Sequence, residues 1–157
     1  HVFGHEKLRN PSQVLRRWHQ LKQQEKPTRK SCLDGIPKHL PALLYAQNLQ
    51  RRASRAGFDW PDPKKGVPAK IREELRELSQ TRSNGPAFGR ELGDVLFTLV
   101  NLARHRKVDA ETALRDAAKR FFKRVRKVES LAEKIKKTTV SMTPTELDRL
   151  WKRAKYR

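Results

Sequence analysis

The sequence predicts an all-α protein, on three observations. Charged residues make up 34% of the chain and hydrophobic residues only 36%, enough for one buried stripe per helix but too little for the core of a thick sheet sandwich. Apolar residues recur three and four positions apart through most of the chain, which is the spacing of one helix face. Prolines, Asp and Thr precede these stretches and glycine follows one of them, as helix starts and stops require. At 157 residues the chain is long enough for one ordinary domain with a single core.

The elements follow in order. Residues 11–26 read as a helix with Asn10 or Ser12 as its cap and Val14, Leu15, Trp18 and Leu21 on one side. Residues 27–37 are a polar connector containing Pro and Gly. A second helix begins near Leu40 and Pro41, carries Ala42, Ala46, Leu49 and Ala53 as its stripe, and stops at Gly57. Residues 58–66 hold two prolines and a glycine beside Phe58 and Trp60, and are expected to form a loop. Pro68 then fits the first turn of a third helix that runs to about Thr81. Residues 83–86 are expected to turn, and a fourth helix runs from about Ala87 to His105. Asp109 caps a fifth helix that continues to about Lys136, and Thr143 with Glu146 forms a capping box that opens a short last helix. No internal repeat or long strand is read.

Bulk composition narrows the function classes. The longest apolar run, residues 95–103, is broken by Thr98 and Asn101 and falls short of the roughly 18 residues that cross a bilayer, so no membrane partner is expected. The single cysteine, Cys32, excludes an internal disulfide and fits a reducing compartment, and the expected location is cytoplasmic. The opening HVFGHEKLRN lacks the apolar core of a signal segment, and the only methionine is Met142, so a piece of a longer protein is expected. The net charge of +20 welcomes polyanions, whether nucleic acid or phosphate-rich small molecules.

Two groups of carboxylates stand out against that basic background. On a wheel of about 100° per residue, Ile71, Leu75 and Leu78 mark the buried side of the third helix. Glu73 falls on the far side, in water, while Glu74 and Glu77 flank the apolar stripe one turn apart. On the fourth helix Phe88, Leu92, Val95, Leu96, Leu99 and Leu102 form a broad apolar face, extended by Phe97 and Val100. Against it Glu91, Asp94, Thr98 and Asn101 line up as one polar stripe, expected to face a cavity. Four acids brought together repel unless a cation sits among them. An all-oxygen set suits Mg²⁺ or Mn²⁺, and the histidines (His1, His5, His19, His39 and His105) all lie outside it and read as ordinary residues.

The pattern Glu73-Glu74-x-x-Glu77, thirteen residues, then Glu91-x-x-Asp94 resembles that of MazG-type nucleoside triphosphate pyrophosphohydrolases. The likeness extends to LDGIPKHLPALLYAQNLQRRASRAGFDWP, ELGDVLFTLVNLARH, ALRDAAKRFFKRVRKVE and ELDRLWKRAK, in order, and the chain resembles the C-terminal half of a tandem-domain bacterial MazG. The resemblance implies a MazG-like helical bundle whose four-helix core is completed by dimerisation. It divides the chain into residues 1–36, a helix and linker left from the inter-domain segment, and residues 37–157, the hydrolase domain. It implies Mg²⁺-dependent cleavage of a nucleoside triphosphate into monophosphate and pyrophosphate, in the service of a clean nucleotide pool. Glu74, Glu77, Glu91 and Asp94 become the metal ligands, and Lys70, Arg120, Arg124, Trp151 and Lys155 the nucleotide-binding set. Arg120 and Arg124 stand one turn apart, where two guanidiniums can hold polyphosphate oxygens in paired hydrogen bonds. Ala118 and Arg120 depart from the family pattern, which commonly has Asn and Lys there.

Two other readings compete. The run from Lys119 to Lys127 interleaves Phe121, Phe122 and Val125 with basic residues and suggests a nucleic-acid-binding module. Its aromatics are expected on the inner side of the helix, as core, which disfavours base stacking. A catalytically degenerate interaction domain is the third reading: Ala118 favours it, and the intact acidic quartet opposes it.

Overall fold

The computed structural model describes residues 31–81 and 85–155. The helix expected over 11–26 lies outside them. Five α-helices follow in order: α1 (Ala42–Arg55), α2 (Pro63–Gln80), α3 (Pro86–His105), α4 (Ala110–Lys134) and α5 (Pro144–Lys155), with one 3₁₀ turn (Thr139–Ser141) ahead of α5. Among the described residues there is no strand, and the all-α expectation holds. None of the described helices is long and apolar enough to cross a membrane.

α1 ends as the sequence requires. Gly57 takes φ of 95°, the Phe58 N–H donates to the Ala53 carbonyl at 3.0 Å, and the Gly57 N–H donates to Ser54 at 3.1 Å. These two bonds occupy carbonyls that the helix leaves without donors, and glycine reaches that φ at low cost. α2 begins five residues earlier than Pro68. Asp62 caps it by accepting from the Lys64 N–H at 3.1 Å, and Pro63 fills the first position, where its preset φ helps and its missing N–H costs nothing. Pro68 lies inside the helix, so the Lys64 carbonyl loses its helical donor. Trp60 lies against the start of α2: a Cβ on Gly66 would stand 2.5 Å from Trp60 Cε3. Residues 63–66, expected to be loop, are therefore helix beneath an aromatic ring.

Pro86 is the first residue of α3 rather than part of the preceding turn. Asp109 caps α4 as expected, accepting from the Thr112 N–H at 2.7 Å. The capping box of α5 is also present: Glu146 Oε2 accepts from the Thr143 N–H at 2.9 Å, and Thr143 Oγ1 accepts from the Glu146 N–H at 3.3 Å.

α2 and α3 form the closest-packed pair, α1 lies on α3 and α4, and α5 lies on α4. The Gln47 side chain on α1 is fully buried. Its Nε2 donates to the Val108 carbonyl at 2.7 Å and its Oε1 accepts from the Ala110 N–H at 3.2 Å, tying α1 to the α3–α4 junction. Val128, Ala132, Met142, Leu150 and Ala154 form one buried apolar cluster between α4 and α5. The broad apolar face of α3 is core only in part. Val95, Thr98 and Val100 are buried, whereas Leu92, Leu96, Phe97 and Leu99 are exposed, Leu96 at 47%. The helix turns its polar stripe toward α2, and that rotation carries the leucines outward.

Candidate functional site

α2 and α3 bring carboxylates together. Oxygens of Glu74, Glu91 and Asp94 all lie within 4.8 Å of one another. Glu74 is buried, at 5% exposure, Glu91 is half-buried and Asp94 is exposed. The helical repeat explains the grouping, because Glu91 and Asp94 are one turn apart on the side of α3 that meets α2. Thr98, one further turn along, is buried. Asn101 beyond it accepts from Arg104 Nε at 2.9 Å. Glu77, also expected among the ligands, is half-buried on α2 and stands outside the three-acid cluster.

One cation is built into the cluster. Lys70 Nζ lies 2.8 Å from Glu74 Oε1 and 2.8 Å from Glu73 Oε1. The hydrogen bond to Glu73, then that to Glu74, holds the lysine above its usual range, and Lys70 in turn lowers Glu73. Glu73 is exposed as expected, yet it shares the lysine with Glu74. Among the described residues neither Glu91 nor Asp94 has an ion-pair partner. A single ammonium cannot balance three gathered carboxylates, and the donors are all hard oxygens. The residues fit a divalent cation of the Mg²⁺ or Mn²⁺ type.

The nucleotide-binding set divides. Arg124 lies over the Trp151 ring, 4.8 Å from its centroid, and Phe121 tilts against the same ring at 5.6 Å. α4 and α5 thus build a guanidinium–indole stack, the geometry of a cation–π contact. Arg120 is exposed one turn before Arg124, and Lys155 is exposed one turn after Trp151. Within the described chain Lys70 joins the carboxylates, whereas Arg124 and Trp151 belong to the α4–α5 unit.

A second polar cluster escaped the sequence reading. Asp59 of the 58–62 loop receives Arg104 through both oxygens, at 2.9 and 2.6 Å, and Ser54 Oγ at 2.7 Å. Its own neighbour Trp60 donates a backbone N–H at 2.9 Å. The Arg104 hydrogen bond is the largest cause holding this carboxyl well below the usual range. His105, read as ordinary, brings Nε2 within 3.3 Å of Asp59. Asp59 and Arg104 are 45 positions apart, so no local pattern could pair them. The cluster fixes the loop that lays Trp60 on α2.

The all-α body gathers buried and exposed carboxylates from two adjacent helices and carries a guanidinium–indole stack on two others. Comparisons with known proteins give relatives along nearly the whole chain. Over 156 residues, 99% of this chain, it is 41% identical to a Thermotoga maritima protein named nucleoside triphosphate pyrophosphohydrolase/pyrophosphatase MazG. It is 39% identical over 163 residues to the Escherichia coli nucleoside triphosphate pyrophosphohydrolase, and 38% identical over 159 residues to the Bacillus subtilis protein YabN, described as uncharacterized. The chain is a homologue of the MazG nucleoside triphosphate pyrophosphohydrolases over nearly its whole length. It spans 59% and 61% of the first two relatives and 32% of the third. No family model matches the chain.

Proposed function

We propose that this chain hydrolyses nucleoside triphosphates to nucleoside monophosphates and pyrophosphate, and that residues 37–157 carry the activity. The observation that carries the reading is the convergence of Glu74, Glu91 and Asp94 within 4.8 Å, one of them buried. The printed names of the two pyrophosphohydrolase relatives support it. Such an enzyme clears unwanted triphosphates from the nucleotide pool and works in the cytoplasm, which the lone cysteine fits.

Glu74, Glu91 and Asp94 would hold Mg²⁺ or Mn²⁺, with Glu77 as the fourth acid of the set. When bound, the cation offsets phosphate charge and acidifies water. A carboxylate of the cluster accepts the proton of the attacking water as its oxygen bonds to the α-phosphorus. The bond from that phosphorus to the α–β bridging oxygen breaks, and pyrophosphate leaves in line. Lys70 orients Glu74 through its 2.8 Å contact and lies in reach of an entering phosphate. Arg120 and Arg124 donate to the polyphosphate, Trp151 offers a face to the base, and Lys155 adds charge at the edge. The exposed apolar residues of α3 support a homodimer.

The test is pyrophosphate release from a panel of nucleoside triphosphates, with Mg²⁺ or with chelator, comparing wild type with Glu74→Gln and Asp94→Asn. Metal-dependent release lost in both folded variants is the expected result. Release that persists undiminished in both, or no release from folded wild-type protein with metal, removes the hydrolase reading.

A further inference from the structure

The basic charge of this chain is far larger than a triphosphate site needs, and α4 concentrates it. From Lys119 to Lys127 six of nine residues are Lys or Arg and none is acidic. The buried Val128 and Ala132 set the inner side of the helix. At about 100° per residue, Phe121 falls on that inner side, whereas Arg115, Lys119, Lys123 and Arg126 fall on the outer one, with Phe122 at its edge. All five are exposed. The expectation that both aromatics are core fails: Phe121 is 61% exposed on the inner side, and Phe122 is 62% exposed with the Arg126 guanidinium 5.9 Å from its ring centroid. The acidic partners are weak competitors: Arg115 meets Glu111 at 2.8 Å and Lys119 meets Asp116 at 3.5 Å. Exposed pairs of this kind contribute little in water.

We propose that this outer face of α4 binds single-stranded nucleic acid, with Arg115, Lys119, Lys123 and Arg126 along the phosphates and one base stacked on Phe122. The four cations span roughly 16 Å at about 1.5 Å per residue, a length that follows a strand of repeating charge rather than a single small anion. A lone aromatic among cations matches the way single strands are held, by backbone charge plus a π-face that accepts any base. A membrane surface would call for a broad apolar face, which this side of α4 lacks. The face is separate from the Arg124–Trp151 stack and from the inner apolar side of α4.

Binding of the full chain to 5′-hydroxyl oligouridylate and oligothymidylate, which carry no triphosphate for the hydrolase, is measured by fluorescence anisotropy across salt concentrations. Three proteins are compared with wild type: Lys119→Glu/Lys123→Glu/Arg126→Glu, Phe122→Ala, and a control, Lys38→Glu/Lys64→Glu/Lys65→Glu, with the same change in net charge elsewhere. The expected result is at least a tenfold loss in the first, with the slope of log affinity against log salt reduced by about 2. Phe122→Ala loses several-fold with the slope unchanged, and the control stays near wild type. Circular dichroism confirms that each variant is folded, and pyrophosphate release stays at wild-type level in the α4 variants. Tighter binding of one oligomer shows a preference set by the 2′-hydroxyl or the thymine methyl and supports the proposal. Equal losses in the α4 triple and the control, wild-type protein that binds neither oligomer at low salt, or polyglutamate competing as well as RNA, each overturns it.

Discussion

If the three carboxylates form a cation site, removing one charge should stabilise the metal-free protein while abolishing its response to metal. Asp94→Asn keeps the shape of the side chain and deletes two like-charge interactions, with Glu74 and with Glu91, over separations of at most 4.8 Å. At that distance each repulsion is about 0.9 kcal/mol in water and about 3.5 kcal/mol at an effective dielectric of 20. Asp94 is exposed, so the lower figure governs and the two together give about 1–2 kcal/mol. For a chain of this size that raises Tm by roughly 3–6 °C. The assay is thermal melting at low salt, first with chelator and then along a Mg²⁺ titration. Wild type should gain stability as RT ln(1 + [Mg²⁺]/Kd), and the variant should start higher and gain little. A variant that is no more stable than wild type in chelator, yet keeps the full Mg²⁺-induced gain, refutes the cluster as the cation site.

Three further perturbations test the frame around the site. Gln47→Leu strips a buried amide of its bonds to Val108 and Ala110 and should cost about 2–3 kcal/mol, because the partners stay behind unsatisfied; a neutral denaturation midpoint would show that water replaces the amide. Gly66→Ala should destabilise, although alanine normally gains up to about 1 kcal/mol over glycine inside a helix, because the new methyl meets Trp60 at 2.5 Å; a raised Tm would show that the ring moves aside freely. Glu146 is lowered from 4.5 to about 2, first by the Lys137 hydrogen bond and then by the Thr143 N–H. A depressed folded-state value means stability present above the unfolded value and lost as pH falls between these two, so Glu146→Gln should flatten melting temperature against pH in that window, and an unchanged acid limb would contradict the linkage.

Local signals were legible and tertiary ones were not. Asp109 and the Thr143–Glu146 box announced two helix starts because capping is decided within four residues. Glu74, Glu91 and Asp94 were legible because acids flanking an apolar stripe have no cheap place in a helix pair. The start of α2 was missed because Pro63 and Pro68 both suit a first turn, and only the Asp62 cap and the Trp60 ring over Gly66 decide between them. The Asp59–Arg104 pair and the Gln47 bridge join residues 45 and more than 60 positions apart. Their side chains are common surface types, so nothing in the sequence marks them. Glu77 shares the flank of α2 with Glu74, yet lies one turn along it, outside the cluster on α3.

The partly exposed apolar face of α3 bears on how the site is assembled. Val128 and Ala132 are buried where α5 covers the inner stripe of α4, while Leu114 and Phe121 on the same stripe are exposed at 58% and 61%. On α3, Leu92, Leu96, Phe97 and Leu99 are exposed as well. Fully covering a Leu or Phe is worth about 1.5–3 kcal/mol, so covering the exposed half of six such residues is worth about 4–9 kcal/mol, comparable with the margin of a folded domain. A second set of helices with the same uncovered stripe is the economical cover, which supports the proposed homodimer. Arg120 and Arg124 flank Phe121 in sequence, and Glu91 and Asp94 flank Leu92 and Leu96. Each half of the candidate site therefore borders an uncovered apolar stripe, and self-association over those stripes is the step that would join guanidiniums to carboxylates.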